Sequence, residues 1–321
     1  MTPSPSTAPI TLTARSPEDV LAIVPVVLGF VPSDSVVMLT FGAAHTFHAR
    51  VDLPDDPDDL TDLVDALLEP ARHHRVRRVV FVVYSTDPRL ARRVRRALTG
   101  SFERSGVDVV DVLRADGERW FPLAGGHPGV PARGVPYDVT AHPFLAQSVL
   151  EGQVTHGSRD ELAAMLEADP DGVRAVTEAL GDPAPPCDDD ADWVRAMVAQ
   201  HVTDGTTPDP ADTARLLAAI ADRTTRDVAW TLMTQDTARE HVRLWTDVVR
   251  RAPGPLVPAP AGLLGFAAWL SGHGALAWCA IDRCIEADPD YTMASLIAQV
   301  LTRAVPPSVW SGEWSARDAP G

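Results

Sequence analysis

The hydrophobic pattern of this 321-residue chain changes its period once, and that change limits the folds open to it. Up to about residue 123, apolar runs of strand length alternate with segments of helical spacing, and after a Gly/Pro-rich stretch at 124–136 every periodic segment is helical. Strands separated by helices are typical of an α/β sheet, whereas helical spacing alone is typical of an all-α domain. We therefore predict a disordered tail over 1–14, an α/β domain over 15–140, an all-helical domain over 141–304 and a C-terminal tail over 305–321.

The strand patterns of the N-terminal half indicate the type of sheet. Val36–Phe41 is a continuous apolar run and Thr46–Leu53 alternates apolar with polar residues, so the two predict a β-hairpin. Arg78–Thr86 is apolar on both faces, which is typical of a central strand in a parallel sheet. With Val107–Leu113, Trp120-Phe121 and two intervening helices, the order is β-β-α-β-α-β-β. Two β-α-β units imply right-handed crossovers, so we predict a three-layer mixed sheet.

Residues at the ends of several helical patterns predict where those helices begin and end. Ser16 has the properties of an N-cap and is followed by Pro17 at the first helical position, while Gly29 fits a C-terminal stop. The same argument places helix starts at Asp87-Pro88 and Asp209-Pro210. These boundaries are local signals and need no knowledge of the tertiary fold.

Composition excludes several kinds of chemistry. All 28 cationic side chains are arginine, because the chain has no lysine, and it has no asparagine either. Lysine catalysis, a Walker-type phosphate loop and N-glycosylation are therefore excluded. The chain also lacks G-x-G-x-x-G after a strand, G-x-S-x-G, H-E-x-x-H and C-x-x-C. Cys187, Cys279 and Cys284 form no ligand motif, so we expect no cofactor, no metal site and no disulfide framework.

The distribution of charge bears on partners and location. The net charge is -16, and residues 151–321 hold 26 of the 44 acids but 13 of the 28 arginines, which makes nucleic-acid binding unlikely. Arg72–Arg96 is a basic exception without interleaved aromatic residues; it is typical of a solvated helix face or a contact with the acidic half. No span of 18 apolar residues exists, and acids precede Val20–Val31 where a signal peptide has basic residues. We expect no membrane segment and a cytoplasmic location.

Three sequence blocks carry a resemblance to a known family. They are Val24–Val37, Arg226-Asp227-Val228-Ala229-Trp230 and Ala268–Ala277. Together they resemble an uncharacterised actinobacterial family catalogued as domain of unknown function 4192, over about Ser16 to Ala304. The resemblance implies no activity, cofactor or catalytic residue.

A local resemblance concerns the C-terminal helices. Small and apolar residues between Leu264 and Pro289 fall at the offsets of one tetratricopeptide unit, although Ala261 stands where that pattern has tryptophan. The segment is therefore similar to a tetratricopeptide-like helical hairpin, and ordinary packing of alanine-rich helices is the alternative. In the same half we expect Arg226 to stack on Trp230, and Asp282 to pair with Arg283.

The first candidate site follows the central strand. Ser85, Thr86, Asp87 and Arg89 lie where that strand ends and a helix begins, a common position for ligands in open α/β sheets. Ser85, Thr86 and the free helix amides could bind a small anion such as phosphate, and Arg89 could pair with it. The alternative is structural: Asp87 caps the helix and would itself repel an anion.

The second candidate site lies on the hairpin. His48, Arg50 and Asp52 share one strand face, where they could line a cleft for acid–base chemistry or bind a ligand through Arg50. Such a face is more often simply solvated, or a polar edge that prevents aggregation. Asp34, at the start of the preceding strand, is either a catalytic carboxylate or a cap on backbone amides.

The C-terminal tail offers a third candidate. Trp310 and Trp314 stand among Ser, Gly and Pro residues, so they either fold back onto the protein or anchor a partner. Two functions follow from these observations. We favour a non-enzymatic protein-binding or regulatory protein that uses the helical domain. The alternative is a small-molecule or nucleotide-binding enzyme with its pocket at the end of the central strand, an argument that rests on fold analogy.

Overall fold

The computed structural model describes residues 14–43, 47–56, 60–124, 126–150, 154–181 and 190–310. Contacts divide the chain into two compact units, with the boundary between Ser158 and Arg159. The first unit contains the sheet, and the second is helical.

The first unit is built on a mixed sheet. Within the described residues its six strands are Ser35–Phe41 (β1), His48–Asp52 (β2), Arg78–Tyr84 (β3), Asp108–Ala115 (β4), Arg119–Pro122 (β5) and Val135–Pro136 (β6). Their order is β2-β1-β3-β4-β5-β6, and β3–β4 is the parallel pair while the other neighbours are antiparallel. This confirms the predicted α/β class with a mixed sheet.

Two differences from the sequence prediction concern pairing. Strand β3 is central, but β1 pairs with it antiparallel on one side, because the hairpin strand β1 lies between β2 and β3. The connection from β2 to β3 therefore passes over one strand. Strand β6 lies inside the Gly/Pro-rich stretch at 124–136, where the sequence pattern placed no strand; it is two residues long and ends in Pro136. A proline at a sheet edge is expected, since its nitrogen cannot donate to a further strand.

Helices cover both faces of this sheet. The four helices described in the first unit are Pro17–Leu28 (α1), Thr61–His73 (α2), Pro88–Arg104 (α3) and Pro143–Leu150 (α4). The core beneath α2 and α3 contains Leu67, Phe81 and Phe102, while the opposite core combines Leu21 and Val24 of α1 with alternate residues of β1 and β3. Helix α4 packs against α1. The first unit thus has three layers, as predicted.

The ends of α1 follow the local signals in the sequence. The Ser16 hydroxyl accepts a hydrogen bond from the Asp19 amide at 3.1 Å, and the Asp19 carboxylate accepts from the Ser16 amide at 3.1 Å, which completes a capping box. Gly29 ends the helix with φ of 80°, a left-handed conformation that glycine adopts without strain. Both predicted boundaries of this helix are confirmed.

The second unit is an assembly of helices around one buried helix. Its described helices are Arg159–Ala164 (α5), Pro170–Leu180 (α6), Asp190–Asp204 (α7), Pro210–Ile220 (α8), Arg223–Thr231 (α9), Ala238–Arg251 (α10), Pro258–Leu270 (α11), Gly274–Ala287 (α12) and Thr292–Thr302 (α13). Every residue of α11 is buried, and α10, α12 and α13 pack around it. A helix that is apolar on all sides is expected to be enclosed in this way.

A helix that crosses a membrane needs about 20 predominantly apolar residues. Among the described residues, none of the helices combines the length and the apolar character that crossing a membrane requires.

Candidate functional site

The segment after β3 is occupied by local hydrogen bonds. Ser85 is buried, and its amide donates to the Ala115 carbonyl oxygen of β4 at 2.9 Å. The Asp87 carboxylate accepts from the Arg89 amide at 2.7 Å and thereby caps α3. Thr86, Asp87 and Arg89 are exposed. These contacts match the capping interpretation, and they place a carboxylate at the helix end that an anion would approach.

Arg114 contacts the segment after β3, and the sequence pattern did not single it out. It lies on β4, its side chain is 7% exposed, and its Nη1 donates to the Ser85 carbonyl oxygen at 3.1 Å. Its Nη2 lies 3.5 Å from the Asp116 carboxylate, and its guanidinium carbon lies 3.7 Å from the centre of the Phe121 ring. Burial lowers the pKa of Arg114, while Asp116 raises it. Arg114 therefore ties the ends of β3 and β4 together.

The polar face of β2 is more enclosed than a solvated edge. His48, Arg50 and Asp52 point to the same side of the sheet as the core of α1, and the Arg50 guanidinium carbon lies 5.6 Å from the Phe30 ring centre. Arg50 Nη2 pairs with the Asp52 carboxylate at 2.5 Å. Burial lowers the pKa of His48 to about 4, so this imidazole is neutral near pH 7 and is a weak general base there.

Strand register determines which candidates meet. Ser35 lies opposite Asp52 on one side and opposite Tyr84 on the other. Asp34, Asp52 and Tyr84-Ser85 therefore lie at the same end of the three neighbouring strands β1, β2 and β3. Asp34 is exposed, has φ of 40°, and its carbonyl oxygen accepts from the Leu53 amide at 2.9 Å. Asp34, Asp52 and Ser85 thus share one end of the sheet, whereas Arg50 and His48 lie further along β2.

A cleft in the helical unit was not anticipated from the sequence. It has a volume of about 460 Å³ and lies between α5 and α12. Its walls are formed by residues at helical spacing, so one face of each helix points into it. The lining residues are Arg159, Asp160, Ala163, Ala164, Leu166, Glu167, Ala168, Cys279, Asp282, Arg283 and Glu286.

The lining of this cleft combines charged residues with small apolar ones. Arg159 pairs with Asp282 at 2.8 Å, and Arg283 lies 3.5 Å from Glu286. The predicted pairing of Asp282 with Arg283 is therefore wrong, because neighbours in a helix point about 100° apart and each side chain finds a partner elsewhere. Burial raises the pKa of the Cys279 thiol, which lines the cleft, so this thiol stays protonated. The charged residues of α12 at helical spacing were the one sequence signal for this cleft.

Trp310 packs onto the helical unit. Its Nε1 donates to the Met233 carbonyl oxygen at 2.9 Å, and its ring stacks on Trp230 with 5.7 Å between centroids and 12° between planes. Phe266 meets the same ring edge-on. This arrangement corresponds to the fold-back alternative for the tail. Trp314 lies outside the described residues.

Arg226 has a different aromatic partner from the one expected. Its Nη1 donates to the Tyr291 hydroxyl at 2.9 Å, and its guanidinium carbon lies 5.6 Å from the Tyr291 ring centre. It also pairs with Asp227 at 2.6 Å. Trp230 instead belongs to the aromatic cluster of Trp310 and Phe266.

The comparisons give a family and no further relative. A family model described as "Domain of unknown function (DUF4192)" matches residues 17–308. No curated protein and no solved structure matches the chain. In the described part of the chain, no three His, Cys, Asp or Glu side chains are grouped so that they could hold a metal ion.

Proposed function

The chain belongs to the DUF4192 family, whose description names no activity, and we propose that its helical unit is a protein-binding module. The α5–α12 cleft would hold a basic segment of a partner protein. The observation that carries this proposal is the cleft itself, whose walls combine four carboxylates with two guanidinium groups.

Charge supports a basic occupant. The two cleft arginines, Arg159 and Arg283, already have carboxylate partners within the cleft. The balance of charge is therefore negative, and it rests on Asp160 and Glu167, which are exposed. An arginine or lysine side chain entering the cleft would meet these carboxylates. Complementary charge of this kind speeds encounter and selects the partner more than it adds affinity.

Size and shape support a short peptide segment rather than a whole domain. A volume of about 460 Å³ lies within the range of small-ligand pockets and accommodates a few side chains. The lining residues Ala163, Ala164 and Leu166 offer apolar surface for the methylene groups of a bound arginine. A partner segment with basic and small apolar residues would use both features.

The expected location also belongs to this proposal. Cys279 and Cys284, the described cysteines, are both free and buried. Free thiols are compatible with a reducing compartment. We accordingly infer that the module acts in the cytoplasm.

Fluorescence anisotropy with two labelled peptides of equal length, one rich in arginine and one rich in glutamate, tests the proposal. We expect the full chain to bind the arginine peptide and not the glutamate peptide, with affinity that falls as salt rises. The variant Asp160→Asn/Glu167→Gln should weaken binding by about tenfold, since each of the two lost charge contacts contributes about 0.7 kcal/mol.

The control for this experiment is essential because the whole chain carries a net charge of -16. Asp236→Asn/Glu178→Gln removes two exposed carboxylates of the same unit outside the cleft. Equal weakening in both double variants would mean that the peptide follows net charge alone, and the cleft would not be a binding site.

A further inference from the structure

Three side chains on one face of the sheet each hold a buried polar atom without a partner. They are Ser35 Oγ, His48 Nδ1 and Arg50 Nε, and none of these atoms has a hydrogen-bond partner in the described part of the chain. Ser35 is completely buried. Buried polar groups are normally paired, so three such groups on two neighbouring strands require an explanation.

Strand register places these residues next to one another. Ser35 lies opposite Asp52, and Arg50 lies opposite Val37, two positions further along β1. Ser35 and Arg50 are therefore diagonal neighbours on the same face, at a separation of about 7–8 Å that a long side chain spans. His48 is the next residue on that face of β2. We call Ser35, His48, Arg50 and Asp52 the β2 polar face.

Phe30 packs against one part of the β2 polar face, and Asp52 is exposed to solvent at one end of it. Phe30 is 2% exposed, and its ring centre lies 5.6 Å from the Arg50 guanidinium carbon. Two backbone hydrogen bonds hold the residues on either side of Phe30 in place: Val31 N to the His156 carbonyl oxygen at 3.0 Å and His156 N to the Gly29 carbonyl oxygen at 2.8 Å. Asp52 stands at the solvent-facing end of the face, since its side chain is 69% exposed, whereas that of Arg50 is 15% exposed.

We propose that the β2 polar face binds a small molecule through an oxyanion, either a phosphate or a carboxylate group, with Arg50 and Ser35 as the donors. Arg50 Nε and the Ser35 hydroxyl are donors that lack an acceptor, and an oxyanion supplies one to each. This inference concerns the sheet unit and does not depend on the proposed peptide cleft.

Asp52 acts as a resident counter-ion in this proposal. It pairs with Arg50 Nη2, but it is exposed, and an ion pair with one exposed partner is weak and exchangeable. An entering oxyanion takes the place of the Asp52 carboxylate, which turns into solvent. Because burial lowers the pKa of His48 to about 4, that side chain is neutral near pH 7 and leaves Arg50 as the cation of the face.

Calorimetric titration of the full chain with sodium phosphate and with sodium succinate, at constant ionic strength set by chloride, tests the proposal. Saturable binding of one salt identifies phosphate or carboxylate as the recognised group. Arg50→Gln should weaken that binding by about tenfold or more, and Ser35→Ala by a smaller factor, since the Arg50 donor is charged and the Ser35 hydroxyl is neutral. Asp52→Asn should tighten it, because the competing carboxylate is gone.

The gain in affinity is the outcome that a misfolded variant cannot produce. Arg174→Gln is the matched control, since Arg174 also pairs with an exposed aspartate, Asp171, but lies on the surface of the other unit. The proposal is overturned if neither salt binds saturably. It is equally overturned if Arg174→Gln weakens binding as much as Arg50→Gln, or if Asp52→Asn leaves the affinity unchanged.

Discussion

At the scale of single residues, His241 is a titratable group enclosed in the core of the helical unit. It is 1% exposed, and burial lowers its pKa to about 4, although a hydrogen bond to the backbone of Leu232 partly offsets this. Its neighbours on α10, Leu244 and Trp245, are equally buried. The folded protein therefore holds this imidazole in its neutral form.

His241 predicts how stability depends on pH. In the unfolded chain a histidine has a pKa of about 6.5, so between about pH 6.5 and about pH 4 the unfolded state binds one more proton than the folded state. His241 should make the free energy of unfolding fall as pH drops through this window, and it should contribute up to about 1.4 kcal/mol per pH unit to the total slope. Urea unfolding across the window measures this slope. A variant His241→Gln, which cannot be protonated, should show a smaller slope, and an unchanged slope would contradict the assignment.

At the scale of elements, α11 shows how small residues decide helix packing. Gly265 lies where α11 meets α12, and a Cβ placed on it would lie 3.6 Å from the Ala277 carbonyl oxygen and 3.7 Å from Ile281. A Cβ on Gly262 would lie 3.2 Å from both Met293 Sδ and Tyr291 Cε1. The first site has room for one methyl group, whereas the second requires its neighbours to move.

The two glycines of α11 predict different changes in stability for the same substitution to alanine. Gly265→Ala should stabilise the protein by up to about 1 kcal/mol, because alanine favours the helix and its methyl group makes ordinary contacts. Gly262→Ala should give no gain, since the close contact cancels the same propensity. Denaturant midpoints of both variants beside the wild type test this, and a loss of stability for Gly265→Ala would show that α11 and α12 approach more closely than the structure has them.

The start of α3 shows the limit of what an element can reveal about function. Asp87 caps the helix, as the sequence indicated. The cap alone accounts for its position, so a role in ligand binding stays a prediction. Ser85 and Arg114, in contrast, are connected across β3 and β4, a contact that no local pattern contains.

At the scale of the whole molecule, the boundary between the two compact units lies beyond the point where the hydrophobic period changes. Helix α4 packs on α1, and Phe30 forms an isolated bridge with His156, so residues up to 158 complete the sheet unit. Phe144 of α4 contributes to the core beneath α1, and His142 Nε2 lies 3.2 Å from Asp19 Oδ1.

These contacts predict which fragment of the sheet unit is stable. A fragment ending at residue 158 should be more stable than one ending at 140 by about 2 kcal/mol or more. The longer fragment buries one additional aromatic side chain and keeps hydrogen bonds that the shorter fragment lacks. Urea unfolding followed by circular dichroism compares the two. The longer fragment with Phe144→Ala is the control and should lie between them. Equal stability of both fragments would place the boundary near 140, as the sequence pattern alone suggested.

Part of the fold could be predicted from the chain because its signals are local. The capping residues Ser16 and Asp209, the stop at Gly29 and the strand periods between Val36 and Leu113 each depend on atoms within a few residues of one another. The family resemblance, carried by the blocks around Val24–Val37 and Ala268–Ala277, is confirmed by the match over residues 17–308. Neither kind of signal assigns an activity.

The remainder was decided by tertiary structure. The sequence by itself determined the order β1 to β5 with the helices between them, the ends of α1, the starts of α3 and α8, and the excess of acids in the second half. Tertiary structure alone placed β1 between β2 and β3, brought Phe30 against Arg50, and joined Arg159 to Asp282 across the cleft. The physical reason is range: caps and periods are set by neighbours in the chain, whereas the burial and partners of a charge depend on residues far away in sequence. Arg159 and Asp282 are separated by 123 positions, and no local pattern connects them.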